Sequence, residues 1–587
     1  MGLEKNKLYR VGNSANEPNS ILTTIRLNLL AVAVGIIGGY GAVLFRWLIY
    51  VINNISFHRK FSINFISPLH HHLGFLVVIP PIIGGFIVGL ITYYFAPETK
   101  GHGVPEVMEA VFKRGGIIRP RVVIAKILAS GVCLGTGGSA GREGPIVQIG
   151  SAFGSSLSQF LKLTAYERKV LIGCGATAGI AATFNAPIAG VIFSVELILL
   201  ELKAKSFVPL VVSSVFATII SRMYFGSNAS FLVPHYHFVS LYELVFYLIM
   251  GILAGFLGIL ESKMLYRFED AFEALKVHPV LKPVIGGALL GLIGIIFPQV
   301  FGVGYETIGD LLNVNYGSPH LYLIIFLVSL LFAKMVALSI TLGSGGSGGV
   351  FAPSLFIGAV LGSAFGVLIN LLFPYISAPY PAYSLVGMAS VFSSASRATL
   401  TSIIMVFEMT RDYKIIVPLI FSCVIANIVS LLFYKETIYT EKLTRRGIKI
   451  PNGLKADLME CEYVKDIMTK NVVVVREHET VEEVKIKIFE TGHHGFPILD
   501  SYENLIGIVT GRDVLTCQNE KMTVCNIDKV CERELIVTYP DETFEQAWEK
   551  MSRYNISHLP VVERNNPSKL VGIVTKTDLI LHKPDID

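Results

Sequence analysis

The chain has 587 residues, of which 52% are hydrophobic and 16% charged, and it carries a formal net charge of +5. A composition this apolar excludes a soluble globule of that length and places most of the chain in a membrane. The slight positive excess forms no basic stripe, which argues against a nucleic-acid partner.

In chain order, residues 1–20 are polar and lack a compact apolar core with a small-residue cleavage site, so no secretory signal is read and the first helix is expected to stay. Apolar runs follow near Leu29–Ile52, Leu73–Phe95, Val122–Leu134, Val191–Leu200, Leu244–Ile259, Val284–Ile296, Leu321–Ile340 and Ile415–Phe433. Several fall short of the roughly 20 residues an upright helix needs, which predicts tilted, broken or re-entrant helices. Lys5, Lys7, Arg10 and Arg26 precede or open the first run, and Lys442, Arg445, Arg446, Lys449 and Lys455 follow the last, predicting two cytoplasmic termini. The seven cysteines form no CxxC pair, which points to reduced thiols and no metal framework. His70-His71-His72 and His493-His494 read as loops, because consecutive side chains splay apart.

Three glycine loops run into apolar helices: Gly101-His102-Gly103-Val104-Pro105, Gly141-Arg142-Glu143-Gly144-Pro145, and Gly343 through Gly349 to Val350-Phe351-Ala352-Pro353. A carboxylate in such a setting is costly, about 2.5–3.5 kcal/mol at mid-membrane, so Glu143 marks an ion path. Interrupted apolar segments in both halves of the chain place a binding site near the midplane. Backbone amides at helix starts suit a dehydrated anion, since each helix end offers about half a positive charge. Taken singly, the second loop reads as an ordinary turn and the third as a linker; their joint order carries the argument.

After Tyr439 the composition turns soluble and repeats itself. Glu479-Thr480-Val481 is echoed by Glu542-Thr543-Phe544, Phe496-Pro497-Ile498 by Leu559-Pro560-Val561, and Gly507-Ile508-Val509-Thr510 with Asp513 by Gly572-Ile573-Val574-Thr575 with Asp578. The doublet resembles a tandem pair of cystathionine-β-synthase-type (CBS) domains. That likeness implies an adenine nucleotide (ATP, ADP or AMP) whose ribose is held by Thr510 with Asp513 and Thr575 with Asp578; the same residues also read as plain helix caps.

The three loops, with Phe184-Asn185-Ala186-Pro187 and Val406-Phe407-Glu408, resemble the selectivity-filter signatures of the CLC family of chloride channels and proton-coupled chloride transporters. The resemblance implies an all-α polytopic membrane domain, an inverted repeat of broken and tilted helices, followed by a cytosolic α/β tandem CBS domain. Expected boundaries are 1–24 for an N-terminal cytosolic segment, 25–445 for the transport domain, 446–463 for a linker, and 464–520 and 521–587 for the CBS pair. It further implies a homodimer in the lipid bilayer, in the plasma membrane, that is no enzyme, requires no cofactor, and carries chloride or a related monovalent anion, with protons as a second partner. Glu143 falls at the gating position. His102, Gly144, Val350, Phe351 and Tyr439 fall at anion-contacting positions, with Lys126 and Arg142 as electrostatic residues; Lys126 also reads as a side chain snorkelling to an interface.

Two departures stand out. His102 replaces the small hydroxyl residue of the chloride-selective pattern, with either its ring or only its backbone facing the ion, which leaves nitrate and fluoride open as substrates. The inner proton position falls on Leu197, with Glu196 just before it, and leucine cannot relay a proton; this favours a channel or weak coupling unless water, Glu196 or Glu201 substitutes. Among rivals, an intramembrane metalloprotease lacks its H-E-x-x-H motif. A divalent-cation transporter with a CBS tail, the alternative reading, needs more intramembrane acids than this chain has.

Overall fold

The structure, a computed structural model, describes residues 9–10, 18–201, 203–227, 231, 233, 242–313, 321–448, 463–519, 527, 535–542 and 544–581. Lys5, Lys7, Lys449, Lys455, Cys461, Cys525 and Cys531 lie outside the described residues. The chain divides into two compact units, Leu22–Ile450 and Met1–Ile21 with Pro451–Asp587.

The first unit is helical: α1 (Pro18–His58), α2 (Ile79–Leu90), α3 (Val104–Phe112), α4 (Arg121–Gly135), α5 (Glu143–Phe160), α6 (Ala165–Phe184), α7 (Pro187–Phe193), α8 (Ala204–Phe225), α9 (Glu243–Ala274), α10 (Lys282–Ile296), α11 (Tyr305–Asn313), α12 (Leu321–Gly343), α13 (Phe351–Leu372), α14 (Tyr380–Ser396), α15 (Thr399–Thr410), α16 (Ile416–Phe433) and α17 (Thr440–Arg445). Among the described residues, eight helices are long and apolar enough to cross a membrane. Two of them, Lys205–Phe225 and Phe351–Leu372, were not among the apolar runs. The serines and threonine of the first lower its mean hydropathy to 1.6, whereas the second, at 2.2, is as apolar as the spans legible in the sequence. The short members α3, α4, α7 and α15 bear out the expectation of broken helices, and α7 runs on into a π-helical turn at Ser194–Leu199.

Two halves repeat one plan, with Lys126, Gly141 and Gly150 each 208 residues before Lys334, Gly349 and Gly358. Lys126 on α4 and Lys334 on α12 each precede a glycine loop, and each loop opens a long helix, α5 or α13. Where α5 crosses α6, a methyl group on Gly150 would sit 2.1 Å from the Gly175 carbonyl, and where α13 crosses α14, one on Gly358 would sit 2.3 Å from that of Gly387. Backbones so close let helices associate in lipid, where apolar side chains gain little from leaving it. The two halves meet at Gly141 and Gly349, equivalent residues that exchange both backbone hydrogen bonds, Gly141 N to Gly349 O at 2.7 Å and the reverse at 2.6 Å. Equivalent residues in reciprocal contact are the mark of a local two-fold relation.

The second unit is α/β. In its first repeat β2 (Val475–Arg476) runs parallel to β3 (Gly495–Leu499), which pairs antiparallel with β4 (Leu505–Thr510), Phe496 opposite Val509. In the second, β6 (His558–Glu563) pairs antiparallel with β7 (Asn566–Thr575). Helices α18 (Val464–Ile467), α19 (Val481–Thr491), α20 (Gly511–Asn519), α21 (Phe544–Arg553) and α22 (Lys576–Leu581) complete it. The repeats exchange their leading segments: Val464 and Ile467 join the core of the second with Met551 and Leu559, while Ile527 joins that of the first with Val475 and Val484. Near the chain start, where only a polar segment was expected, β1 (Tyr9–Arg10) pairs in parallel with β5 (Leu535–Ile536).

Candidate functional site

The three glycine loops meet. Gly101 N donates to Gly346 O at 2.9 Å, and the Gly141–Gly349 pair lies beside this contact. Gly144 is required by proximity, since a methyl group there would stand 2.3 Å from the His102 carbonyl and 2.9 Å from Gly349 Cα. Gly103 precedes α3 with φ +75°, a conformation a side chain would strain. The N-termini of α3, α5 and α13 therefore converge on one small volume, each presenting first-turn backbone N–H groups that have no partner within the helix.

Glu143, the first residue of α5, is 1% exposed. Its Oε1 accepts from the Tyr305 hydroxyl at 2.5 Å, and its Oε2 faces the first turn of α13 beside the Ala352 amide. Arg142 Nε lies 3.9 Å from Oε1, with its guanidinium 5.1 Å from the Tyr305 ring centre. Tyr305 opens α11, the counterpart of α3 in the second half, and was not singled out in the sequence. The missed signal was the second Gly-x-Gly, Gly302-Val303-Gly304, which matches Gly101-His102-Gly103. A cavity of about 660 Å³ reaches Tyr305 and Arg142 and is lined by Arg46, Tyr50 and Phe184 among others. Arg46 Nε donates to the Tyr50 hydroxyl at 2.6 Å, so two guanidinium groups stand on the approach to Glu143.

Lys126 does not snorkel. Its fully buried ammonium donates to the carbonyls of Thr99 and Gly101, both at 2.9 Å. Lys334 does the same for Val300 at 3.0 Å and Gly302 at 2.9 Å. Each lysine thus satisfies carbonyls turned outward by the glycine loop that precedes the short helix of its half, α3 or α11.

His102 has its ring between two tyrosines, with centroids 6.3 Å from Tyr266 and 6.0 Å from Tyr439. The single hydroxyl proton of Tyr266 goes to the Ile438 carbonyl at 2.8 Å, so the 3.2 Å contact with His102 Nε2 is a donation from the ring. That network assigns the Nε2–H tautomer and leaves Nδ1 as a buried acceptor with no protein partner. Tyr439 precedes α17 and is 1% exposed, and α17 is tied to α3 by Arg446, which bonds Glu106 at 2.6 Å and Glu109 at 2.7 Å. Val350 and Phe351 sit at the start of α13, the Phe351 ring 4.2 Å from that of Phe392.

Leu197 is buried and Glu196 is committed elsewhere. The carboxylate of Glu196 accepts from the Leu400 and Thr401 amides at 3.2 and 2.9 Å, capping α15, while Glu408 on α15 accepts from Ile188 and Ala189 at 3.2 and 2.7 Å, capping α7. The two helices cap each other, and both Glu196 oxygens are engaged in that cap. Glu201 pairs with Lys203 at 3.5 Å. Among the described residues no cluster of three or more His, Cys, Asp or Glu could hold a metal ion.

In the tail, Asp513 accepts from the Thr510 amide and hydroxyl at 2.8 and 2.7 Å, and Asp578 treats Thr575 alike at 2.8 and 2.8 Å. Both pairs make the local cap at a strand-to-helix turn. His493 and His494 lie in the loop between α19 and β3, as expected, and with burial they hold the imidazole of His558 in the other repeat below its ordinary value.

Paired glycine-loop halves around one buried carboxylate define an ion-transport membrane protein of the broken-helix type. Residues 84–431 match the family described as voltage gated chloride channel, and 464–520 and 527–584 each match the CBS domain. The chain belongs to the CLC family. It is 34% identical to a putative chloride channel protein ClcB-like of Ralstonia nicotianae, over 62% of this chain and 85% of the relative. It is 31% identical to the H(+)/Cl(-) exchange transporter ClcA of Vibrio parahaemolyticus, over 75% of this chain and 93% of the relative. Among solved structures it is similar to a slow cyanobacterial Cl-/H+ antiporter, with TM-score 0.63, 28% identity, and 72% of this chain and 98% of that one covered. In fold it also matches a eukaryotic CLC transporter, with TM-score 0.60, 20% identity, and 95% and 98% covered. Nothing in these comparisons supports the divalent-cation alternative.

Proposed function

We propose that this protein carries chloride or a related monovalent anion across the membrane, with Glu143 as the protonatable gate and no catalytic turnover. The observation that carries the reading is the Glu143 carboxylate lying against the N-terminus of α13, where a negative charge finds unpaired amides. An ionised Glu143 competes there with the transported anion, and a protonated one releases the place. Arg46 and Arg142 attract the anion toward the gate; Gly144, Val350, Phe351, Tyr439 and His102 bound its path. Proton movement accompanies the anion, by analogy with the exchangers among the relatives. The working unit is a homodimer in the plasma membrane with both termini cytoplasmic, and adenine nucleotides bind the CBS pair at Thr510/Asp513 and Thr575/Asp578.

Efflux from proteoliposomes loaded with chloride or gluconate tests the first claim: chloride leaves and gluconate stays. In Glu143→Gln, the acid sensitivity of that flux disappears. A flux equally acid-sensitive in the variant removes Glu143 from the gate. Calorimetry with ATP, ADP and AMP tests the tail, and no heat with any of them at millimolar concentration withdraws the nucleotide site.

A further inference from the structure

A second carboxylate is buried in the membrane unit and unclaimed by any role above. Glu261, midway along α9, is 1% exposed, and its Oε2 has no hydrogen-bond partner. Its Oε1 lies 2.7 Å from the hydroxyl of Ser354, itself fully buried in the first turn of α13. That same hydroxyl lies 2.9 Å from the carbonyl of Val350, the residue that precedes α13 at the anion site. Tyr439 is within electrostatic reach of both Glu143 and Glu261.

Ser354 has one hydroxyl proton and two acceptors. With Glu261 ionised, the hydroxyl donates to the carboxylate and makes no bond to Val350. With Glu261 protonated, the carboxylic O–H donates to Ser354 Oγ, and the serine proton turns to the Val350 carbonyl. One proton enters, and Ser354 stays hydrogen-bonded to Glu261 in both protonation states. A purely structural carboxylate has no use for that reversibility.

No cation within range of Glu261 fixes its charge among the described residues; Ser354 is the side chain that hydrogen-bonds to it. On the helices packed against α9, Lys334 is held by Val300 and Gly302, Tyr383 stacks on Tyr247, and Cys423 meets Ser390. On α9 itself, Lys263 lies over the Tyr434 ring, Tyr266 bonds Ile438, and Asp270 pairs with Arg445. A lone ionisable group inside a membrane, paired with no cation, marks a functional site by default.

We propose that Glu261 is a second proton-binding site of the transport cycle, supplying the carboxylate that Leu197 lacks, and that Ser354 passes its protonation state to the Val350 peptide at the anion site. The inference rests on the anion-transport reading above. In proteoliposomes of the full-length protein, with chloride efflux and external pH recorded together, wild type moves protons against chloride. Glu261→Gln, whose amide still bonds Ser354, keeps chloride flux within about threefold and lowers the proton-to-chloride ratio at least tenfold. An unchanged ratio in Glu261→Gln, or chloride flux without proton movement in wild type, overturns the proposal while leaving anion transport standing. Absence of chloride flux in wild type overturns the transport reading itself and this inference with it. Should Glu261→Gln fail to assemble, Ser354→Ala carries the test: the ratio falls because the link to Val350 is cut, and an unchanged ratio overturns it.

Discussion

Tyr305 donates to Glu143 across the interface between the two halves, and the bond is to an ionisable partner that is itself 1% exposed. Such bonds contribute about 1.5–3 kcal/mol. Tyr305→Phe keeps the ring and its packing but removes the donor, so the carboxylate leaves the first turn of α13 more readily. Chloride flux at neutral pH is expected to rise about tenfold toward that of Glu143→Gln, measured as liposome efflux. Gly302-Val303-Gly304 marked the loop before Tyr305 but not the role of its hydroxyl, which comes from the residue it touches, and Glu143 is far from it in the chain. Glu143 itself was legible, since a carboxylate between glycines in apolar surroundings is improbable without a task. Glu196 shows the converse: its place beside Leu197 suggested a proton acceptor, and only the fold reveals that its oxygens also cap α15.

At the scale of elements, the site depends on how closely α5 approaches the loops before α3 and α13. Gly144→Ala drives a methyl group into the His102 carbonyl and Gly349. Overpacking of this kind costs about 1–3 kcal/mol, and here the strain falls on backbone that cannot rotate away. The variant is expected to express yet lose chloride flux at least tenfold. Gly41→Ala on α1, where nothing lies within 4 Å of the added carbon, serves as the control and keeps its flux. The paired lysines belong to this scale too. A basic residue in an apolar run reads from sequence as a source of field or as a snorkelling side chain, yet Lys126 and Lys334 are internal clamps, each closing the carbonyls of one glycine loop. Their equal spacing to Gly141 and Gly349 was in the sequence, but spacing alone does not say where an ammonium points.

At the scale of the whole molecule, the tail is one folding unit rather than two, because each repeat completes its core with the other's leading segment. His558 lies in this shared unit, its proton affinity depressed by burial and by His494 and His493. The unfolded chain therefore takes up a proton near pH 6.5 that the folded tail resists. Tail stability is full above that value and falls as the pH drops through it toward the lower folded value. Hydrogen exchange in the full-length protein is expected to show β3 and β6 losing protection between pH 7.5 and about 5.5. His558→Gln should flatten that dependence, and an unchanged profile in the variant would assign it to other groups.

The sequence by itself determined the membrane class, the three loops with Glu143, the departures at His102 and Leu197, and the doubled tail, because composition and short-range spacing are local properties of the chain. Tertiary structure decided that Tyr305 bonds Glu143, that Lys126 and Lys334 are clamps, that Glu196 is a cap, and that Glu261 stands beside Ser354 at the start of α13. These are contacts between segments far apart in the chain, and the chemistry of a buried polar group is set by the partner that folding brings to it.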